Sequence, residues 1–254
     1  MSEEILQDDP HRRVVRIGDT VRRPTHAWSP TIHELLKHLE NQNFPYAPRL
    51  LGIDDEGREV LTYLDGASGG DGWKRVVDES GLTAMARLLR EYHEAVRDFR
   101  PSADATWGGH TEPPRPGELV CHGDFGPWNL VWRGATPIGI LDWDYAWPRP
   151  PVHDVAYALE FVTPFRTDRY SQEWLHHPAP PDRLRRVALF AEAYGIAPDG
   201  LLQQVVDAQR AVWFRARRLA AEGREPQVTW QANGSLDLAA QRIRWSEHFA
   251  RENS

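Results

Sequence analysis

One cysteine, Cys121, stands in a chain of 254 residues. That scarcity excludes a disulfide within the chain and fits a reducing compartment. Long apolar runs are missing as well: none approaches the ~20 residues that a helix needs to cross a bilayer. The opening Met1-Ser2-Glu3-Glu4 is acidic and lacks the basic and apolar regions of a signal peptide. The expected location is the cytoplasm, with no membrane partner. Positive charge is not in excess either. A formal net charge of -7 argues against nucleic acid as the main partner. It suits a cytosolic enzyme, a protein with a cationic ligand, or simply a solvated acidic surface.

What is abundant is tryptophan, with 11 residues whose large amphipathic rings suit cores and ligand clefts alike. The length allows one large domain or two small ones. The first third reads as strands around one helix. Arg12–Ile17 is strand-like, Gly18-Asp19 is a turn, and Thr20–Arg23 resumes before Pro24. Ser29-Pro30 predicts a helix start with Ser29 as the cap, followed by Ile32, Leu35, Leu36 and Leu39 on one face. Further strands are expected over Pro48–Ile53 and Glu59–Leu64. The four glycines between Gly66 and Gly72 mark a boundary between two lobes.

Beyond that boundary the pattern turns helical. Leu82, Met85, Leu89, Tyr92, Val96 and Phe99 recur at three- and four-residue spacing, and Pro101–Gly117 reads as a loop. Short apolar runs at 119–121, 130–132 and 138–141 predict a hairpin-rich patch, and further helices are expected near 151–162, 183–194, 199–222 and 236–251.

The informative stretch runs from Cys121 to Asp142. Asp124 and Asn129 lie on a loop between two short strands, and Asp142 follows another strand. Phosphoryl transfer needs a carboxylate to orient or accept the proton of the attacking hydroxyl, and oxygen ligands that hold a divalent cation against the phosphates. An aspartate, an amide oxygen and a second aspartate at strand ends meet that need. The competing reading is turn chemistry, since Asp, Gly, Pro and Asn all favour turns.

His122-Gly123-Asp124-x-x-x-x-Asn129 resembles the catalytic loop of the aminoglycoside phosphotransferase and choline kinase families, relatives of the protein kinases. Ile140-Leu141-Asp142-Trp143-Asp144 resembles their metal-binding segment, and His153-Asp154-Val155-Ala156 their downstream helix start. The resemblance implies an α+β, two-lobed protein-kinase-like fold, with a nucleotide-binding lobe over 1–63 and a catalytic and substrate-binding lobe over 64–254. It implies Asp124 as catalytic base, Asn129 and Asp142 as Mg²⁺ ligands, and structural roles for His122, Asp154 and Asp144. ATP or GTP would donate phosphate to a hydroxyl of a small molecule.

The nucleotide half departs from the family pattern. Arg22 stands where the phosphate-binding lysine is expected, with Glu34 as its candidate partner. The phosphate-covering turn would fall on Asp8–His11, which has no glycine. Thr62 to Leu64 would meet the adenine edge. Gly66–Gly72 lacks the Gly-Lys-Ser/Thr ending of a P-loop and reads as a linker or substrate-side loop.

The short segment after Asp142 leaves no room for a peptide platform and favours a small acceptor. Trp128, Trp132, Trp143 and Trp147, with Asp144 and Glu160, would suit an aminoglycoside or another amino or hydroxy metabolite; equally, the tryptophans fill a core. Two other functions stay open: a non-catalytic nucleotide- or metabolite-binding module, and a zinc hydrolase built on His122, Asp124, His153 and Asp154.

Overall fold

The computed structural model describes residues 3–8, 13–108, 110 and 115–253. Five antiparallel strands form the first sheet: β1 (Glu3–Gln7), β2 (Val14–Ile17), β3 (Thr20–Pro24), β4 (Leu50–Ile53) and β5 (Arg58–Thr62), in the order β1-β2-β3-β5-β4. Helix α1 (Ser29–Asn41) lies between β3 and β4 and buries Ile32, Leu35, Leu36 and Leu39, the face its periodicity predicts. Its start is shifted from the expected cap. Trp28 occupies the cap position, while Ser29 is helical and its hydroxyl accepts a bond from the His26 N–H at 2.8 Å.

After the glycine-rich stretch come α2 (Gly72–Arg75) and α3 (Glu79–Ala95). Helix α3 ends before Phe99, although Val96 and Phe99 remain buried, because the turn after Ala95 still directs them into the core. The hairpin-rich patch holds β6 (Leu119–Cys121), β7 (Leu130–Arg133), β8 (Thr136–Ile140) and β9 (Trp147–Arg149). Strands β7 and β8 form a hairpin, and β6 pairs antiparallel with β9 through Cys121 and Trp147. The remainder is helical: α4 (Val152–Val162), α5 (Asp168–Glu173), α6 (Arg183–Tyr194), α7 (Leu201–Ala221), α8 (Gln227–Ala232) and α9 (Ser235–Glu252). The short helices α2, α5 and α8 lack enough turns to give a periodic signal in the sequence.

The main core joins α1, α3, α4, α6 and α7 to the inner side of the hairpin, with Leu82, Met85, Tyr92, Phe125, Trp132 and Phe190 almost fully buried. Trp132, Trp143 and Trp147 are core residues, so the bland reading holds for these three. Trp128 and Trp143 both line the cleft against the sheet. Among the described residues no helix is long and apolar enough to cross a membrane.

Candidate active site

The loop after β6 is held by one buried carboxylate. Asp154, near the start of α4, accepts the backbone N–H groups of His122 at 2.6 Å and Gly123 at 2.9 Å. His93 of α3 approaches the same carboxylate at 3.1 Å and is fixed on its other ring nitrogen by Tyr194 at 2.7 Å. Burial works to raise the Asp154 pKa, but the His93 hydrogen bond and nearby imidazoles outweigh it and hold the carboxyl below its usual range. Gly123 has φ +77°, and a Cβ there would stand 2.1 Å from the Tyr145 carbonyl oxygen. Only glycine lets the two segments approach this closely.

His122 reaches across to the segment before Asp142, with its Nε2 2.9 Å from the Leu141 carbonyl. The Leu141 N–H donates to the Asn129 carbonyl at 2.8 Å. Asn129 and Asp142 are therefore tied through Leu141, although thirteen positions separate them in sequence. Asp142 adopts a left-handed backbone with φ +56°, uncommon outside glycine but tolerated by aspartate. Asn129 donates its side-chain amide to the Asp124 carbonyl at 2.9 Å and to Asp124 Oδ2 at 2.7 Å. That orientation spends the nitrogen and leaves the amide oxygen for a cation.

The other Asp124 oxygen accepts the phenol of Tyr157 on α4. Each carboxylate oxygen has two acceptor positions, so a substrate hydroxyl can still be received. Burial raises the Asp124 pKa above its ordinary value; the Tyr157 bond opposes this and the negative Asp142 adds to it. The sequence offered one faint sign of Tyr157, its place one turn beyond Asp154 on the helix that anchors the loop.

Asn129, Asp142 and Asp144 line a cleft of about 520 Å³ that opens against β3, with Thr62 and Leu64 on its wall. Arg22 does not line it. The guanidinium of Arg22 lies against the Thr20 hydroxyl and 3.6 Å from Asp54. The cleft cation is Arg23. Side chains alternate along a strand, so Val21 and Arg23 face inward while Arg22 faces away. Arg23 lies directly opposite Glu59 in the β3–β5 register and pairs with it at 2.6 Å. It also grips Asp144 from the catalytic segment, and Asp144 accepts a further bond from Trp28 Nε1 at 3.3 Å. Burial lowers the Arg23 pKa, but Asp144, Glu59 and Asp142 more than reverse this.

Glu34 is not the partner of the strand cation. It faces the loop after α3 and accepts from the Ser102 hydroxyl at 2.8 Å and its N–H at 3.1 Å. Neither of the chain's two lysines lines the cleft; Lys37 pairs with Glu40 and Lys74 with Asp71. The expected phosphate-covering turn, apart from Asp8, lies outside the described residues. The glycine-rich stretch packs on the catalytic loop: Ala67 exchanges backbone bonds with Trp132 at 3.0 and 2.8 Å. A Cβ on Gly72 would stand 1.9 Å from the Pro127 carbonyl.

The zinc-hydrolase set does not assemble. Among the described residues the one cluster with metal-ligand spacing is His93, Cys121 and Asp154, whose imidazole and carboxylate are engaged in anchoring the loop.

A β-rich half facing a helical half, with Asp124, Asn129 and Asp142 gathered beside the cleft, is the arrangement of a protein-kinase-like fold. Residues 109–190 match the model of the phosphotransferase enzyme family. The chain is 28% identical over 264 residues to the trifolitoxin immunity protein of Rhizobium leguminosarum bv. trifolii, covering 98% of this chain and 94% of the relative. Among solved structures it is similar to a choline/ethanolamine kinase family protein from Mesorhizobium loti, with TM-score 0.59, 16% identity, and 98% and 92% of the two chains covered. It is similar also to an amicoumacin kinase in complex with AMP-PNP, Ca²⁺ and Ami, with TM-score 0.63, 12% identity, and 97% and 88% covered. The expected family resemblance and protein-kinase-like fold are borne out.

Proposed function

We propose that this protein transfers the γ-phosphate of ATP or GTP to a hydroxyl of a small molecule. The observation that carries the reading is the convergence of Asp124, Asn129 and Asp142, locked together by the Leu141 backbone beside the cleft. The acceptor hydroxyl would lie against Asp124, which takes its proton as the oxygen–phosphorus bond forms. The bond to the nucleoside diphosphate breaks, leaving a phosphoester and the diphosphate. The raised pKa of Asp124 makes it a better base near neutral pH than an exposed aspartate.

The Asn129 amide oxygen and the Asp142 carboxylate are hard oxygen donors and fit Mg²⁺. Bound there, the cation would neutralise charge on the nucleotide phosphates. Arg23, rather than Arg22, would face those phosphates, with Thr62 and Leu64 beside the base. In this reading residues 1–63 and 64–254 form one catalytic unit that works in the cytoplasm without nucleic acid or membrane partners. The relatives support the reaction class: amicoumacin kinase carries a nucleotide analogue with its antibiotic, and an aminoglycoside phosphotransferase of the same fold carries GDP.

The test is transfer from Mg-ATP and Mg-GTP to a panel of hydroxyl compounds, including aminoglycosides, amino alcohols, hydroxy acids and bacterial toxins. Transfer that disappears in Asp124→Asn, with nucleotide affinity kept, supports the reading. A protein that binds neither nucleotide at any Mg²⁺ concentration overturns it. One observation favours the alternative of a non-catalytic binding module: Arg23 is already held by two carboxylates. Tight nucleotide binding with no turnover across the panel would select that alternative.

A further inference from the structure

Val205, Gln209, Val212 and Ala216 follow one another at three- and four-residue spacing and share one face of α7. Gln209 is the polar member of that stripe. It is 4% exposed, and neither its amide oxygen nor its amide nitrogen has a hydrogen-bond partner. A side-chain amide carries two acceptor positions and two donors, and burying it unpaired is costly. A glutamine in an apolar stripe therefore calls for a group that answers both ends of its amide.

That amide borders a cavity of about 140 Å³ between α4, α7, α8 and α9. The space is roughly ten times what a single water requires. Its walls present ring faces. Trp213 has spent its indole N–H on the Leu236 carbonyl at 2.9 Å, and Phe161 and the partly exposed Trp230 complete the aromatic lining. The Glu160 carboxylate on the wall is already engaged, by Arg242 at 3.2 Å and Arg166 at 3.4 Å. What remains for a ligand is flat apolar surface beside an amide open at both ends.

We propose that this cavity is a carboxamide subsite, in which Gln209 pairs with an uncharged amide carried by the acceptor molecule. The assignment rests on the phosphotransferase reading and narrows its substrate to a hydroxylated amide. An amide sets a donor beside an acceptor, which complements the glutamine side chain through two parallel bonds. An ester or a carboxylate brings acceptors only and leaves the Gln209 oxygen unanswered; an ammonium brings donors only and leaves the N–H groups unanswered. Helix α4 joins the cavity to the reacting position. Tyr157 lines the cavity, and its phenol donates to Asp124. Phe161, one turn further along, meets Trp128 of the main cleft edge-on, with centroids 4.7 Å apart and an interplanar angle of 89°. An acceptor anchored at Gln209 extends past Tyr157 toward Asp124.

The experiment measures binding of benzamide to the full chain, without nucleotide, by ligand-observed NMR and tryptophan fluorescence. Methyl benzoate, benzoate and benzylamine are the matched controls, and wild type is compared with Gln209→Met, Gln209→Leu and Ser246→Ala. Benzamide should bind wild type about tenfold or more tightly than methyl benzoate, and Gln209→Met should remove that preference. Ser246 on α9 also has a buried, unpartnered hydroxyl but does not line the cavity, so Ser246→Ala should keep the preference. Gln209→Met should unfold at an unchanged or higher temperature, because it removes an unanswered buried amide. In transfer assays with Mg-ATP, hydroxylated amides should show a lower KM than the matching esters. Gln209→Met should raise that KM and leave the nucleotide KM unchanged.

Benzamide and methyl benzoate bound alike by wild type overturn the subsite, as does an equal amide preference in wild type and Gln209→Met. Either result would leave Gln209 satisfied by water alone. If Gln209→Met shows no cooperative unfolding transition, Gln209→Leu decides in its place. An amide preference in a wild type that binds no nucleotide condemns the kinase reading instead and leaves the cavity as an amide site.

Discussion

At the residue scale the site turns on which atoms Asp124 has left to offer. Tyr157 and Asn129 each take one lone pair, and a substrate hydroxyl competes for the remainder. Asp124→Asn should lower kcat by about 10²- to 10⁴-fold with nucleotide affinity kept, as measured by single-turnover transfer and calorimetry. Tyr157→Phe removes a hydrogen bond that favours the carboxylate form. The Asp124 pKa should rise further, moving the acid limb of the kcat/KM profile to higher pH. An unmoved limb would separate the limb from Asp124. Strand alternation supplies a paired prediction for the nucleotide side. Arg23→Gln should raise the nucleotide KM roughly tenfold or more, and Arg22→Gln should leave it within about twofold.

At the scale of elements, the catalytic loop keeps its shape because α4 and β9 approach it closely. Gly123→Ala would force a Cβ onto the Tyr145 carbonyl in a left-handed backbone, and a loss of about 2 kcal/mol or more is expected in denaturant unfolding. Gly134 has φ +61° but open space around it, so Gly134→Ala should cost only about 1 kcal/mol from backbone strain. Asp154→Ala strands two buried N–H groups and His93 at once, and a loss of about 3 kcal/mol is expected in the same measurement.

At the scale of the whole molecule, the sheet and the helical body are joined by charge as well as by packing. Arg23 of β3 holds Asp144, two residues beyond Asp142. Buried neutral histidines set the acid response. The pKa of His110 is lowered to about 2 and that of His177 to about 4, in both cases first by burial and then by neighbouring arginines. Between those values and ~6.5 the unfolded chain binds more protons than the folded one, so stability falls as pH drops. Each histidine contributes a slope of at most about 1.4 kcal/mol per pH unit. The depressed Asp154 acts in the same direction below the ordinary aspartate range, while the raised Asp124 opposes the histidines just above that range. Thermal unfolding between pH 7 and pH 4 should show a falling midpoint, and His110→Asn should flatten the fall.

The candidate site was legible in the sequence because its parts are near neighbours along the chain. Asp124, Asn129 and Asp142 fall within one strand–loop–hairpin unit, and the α1 and α3 faces were readable from their period. The strand cation was misplaced by one residue. A slip of one reverses a strand's faces, and only the pairing of β3 with β5 shows that Arg23 meets Glu59. Tyr157 and His93 come from segments that are remote in sequence. Local pattern determined which residues the candidate site is built around. Tertiary packing alone decided which cation faces the cleft and which phenol holds Asp124. Those are properties of faces brought together across the core, and neither spacing nor composition encodes them.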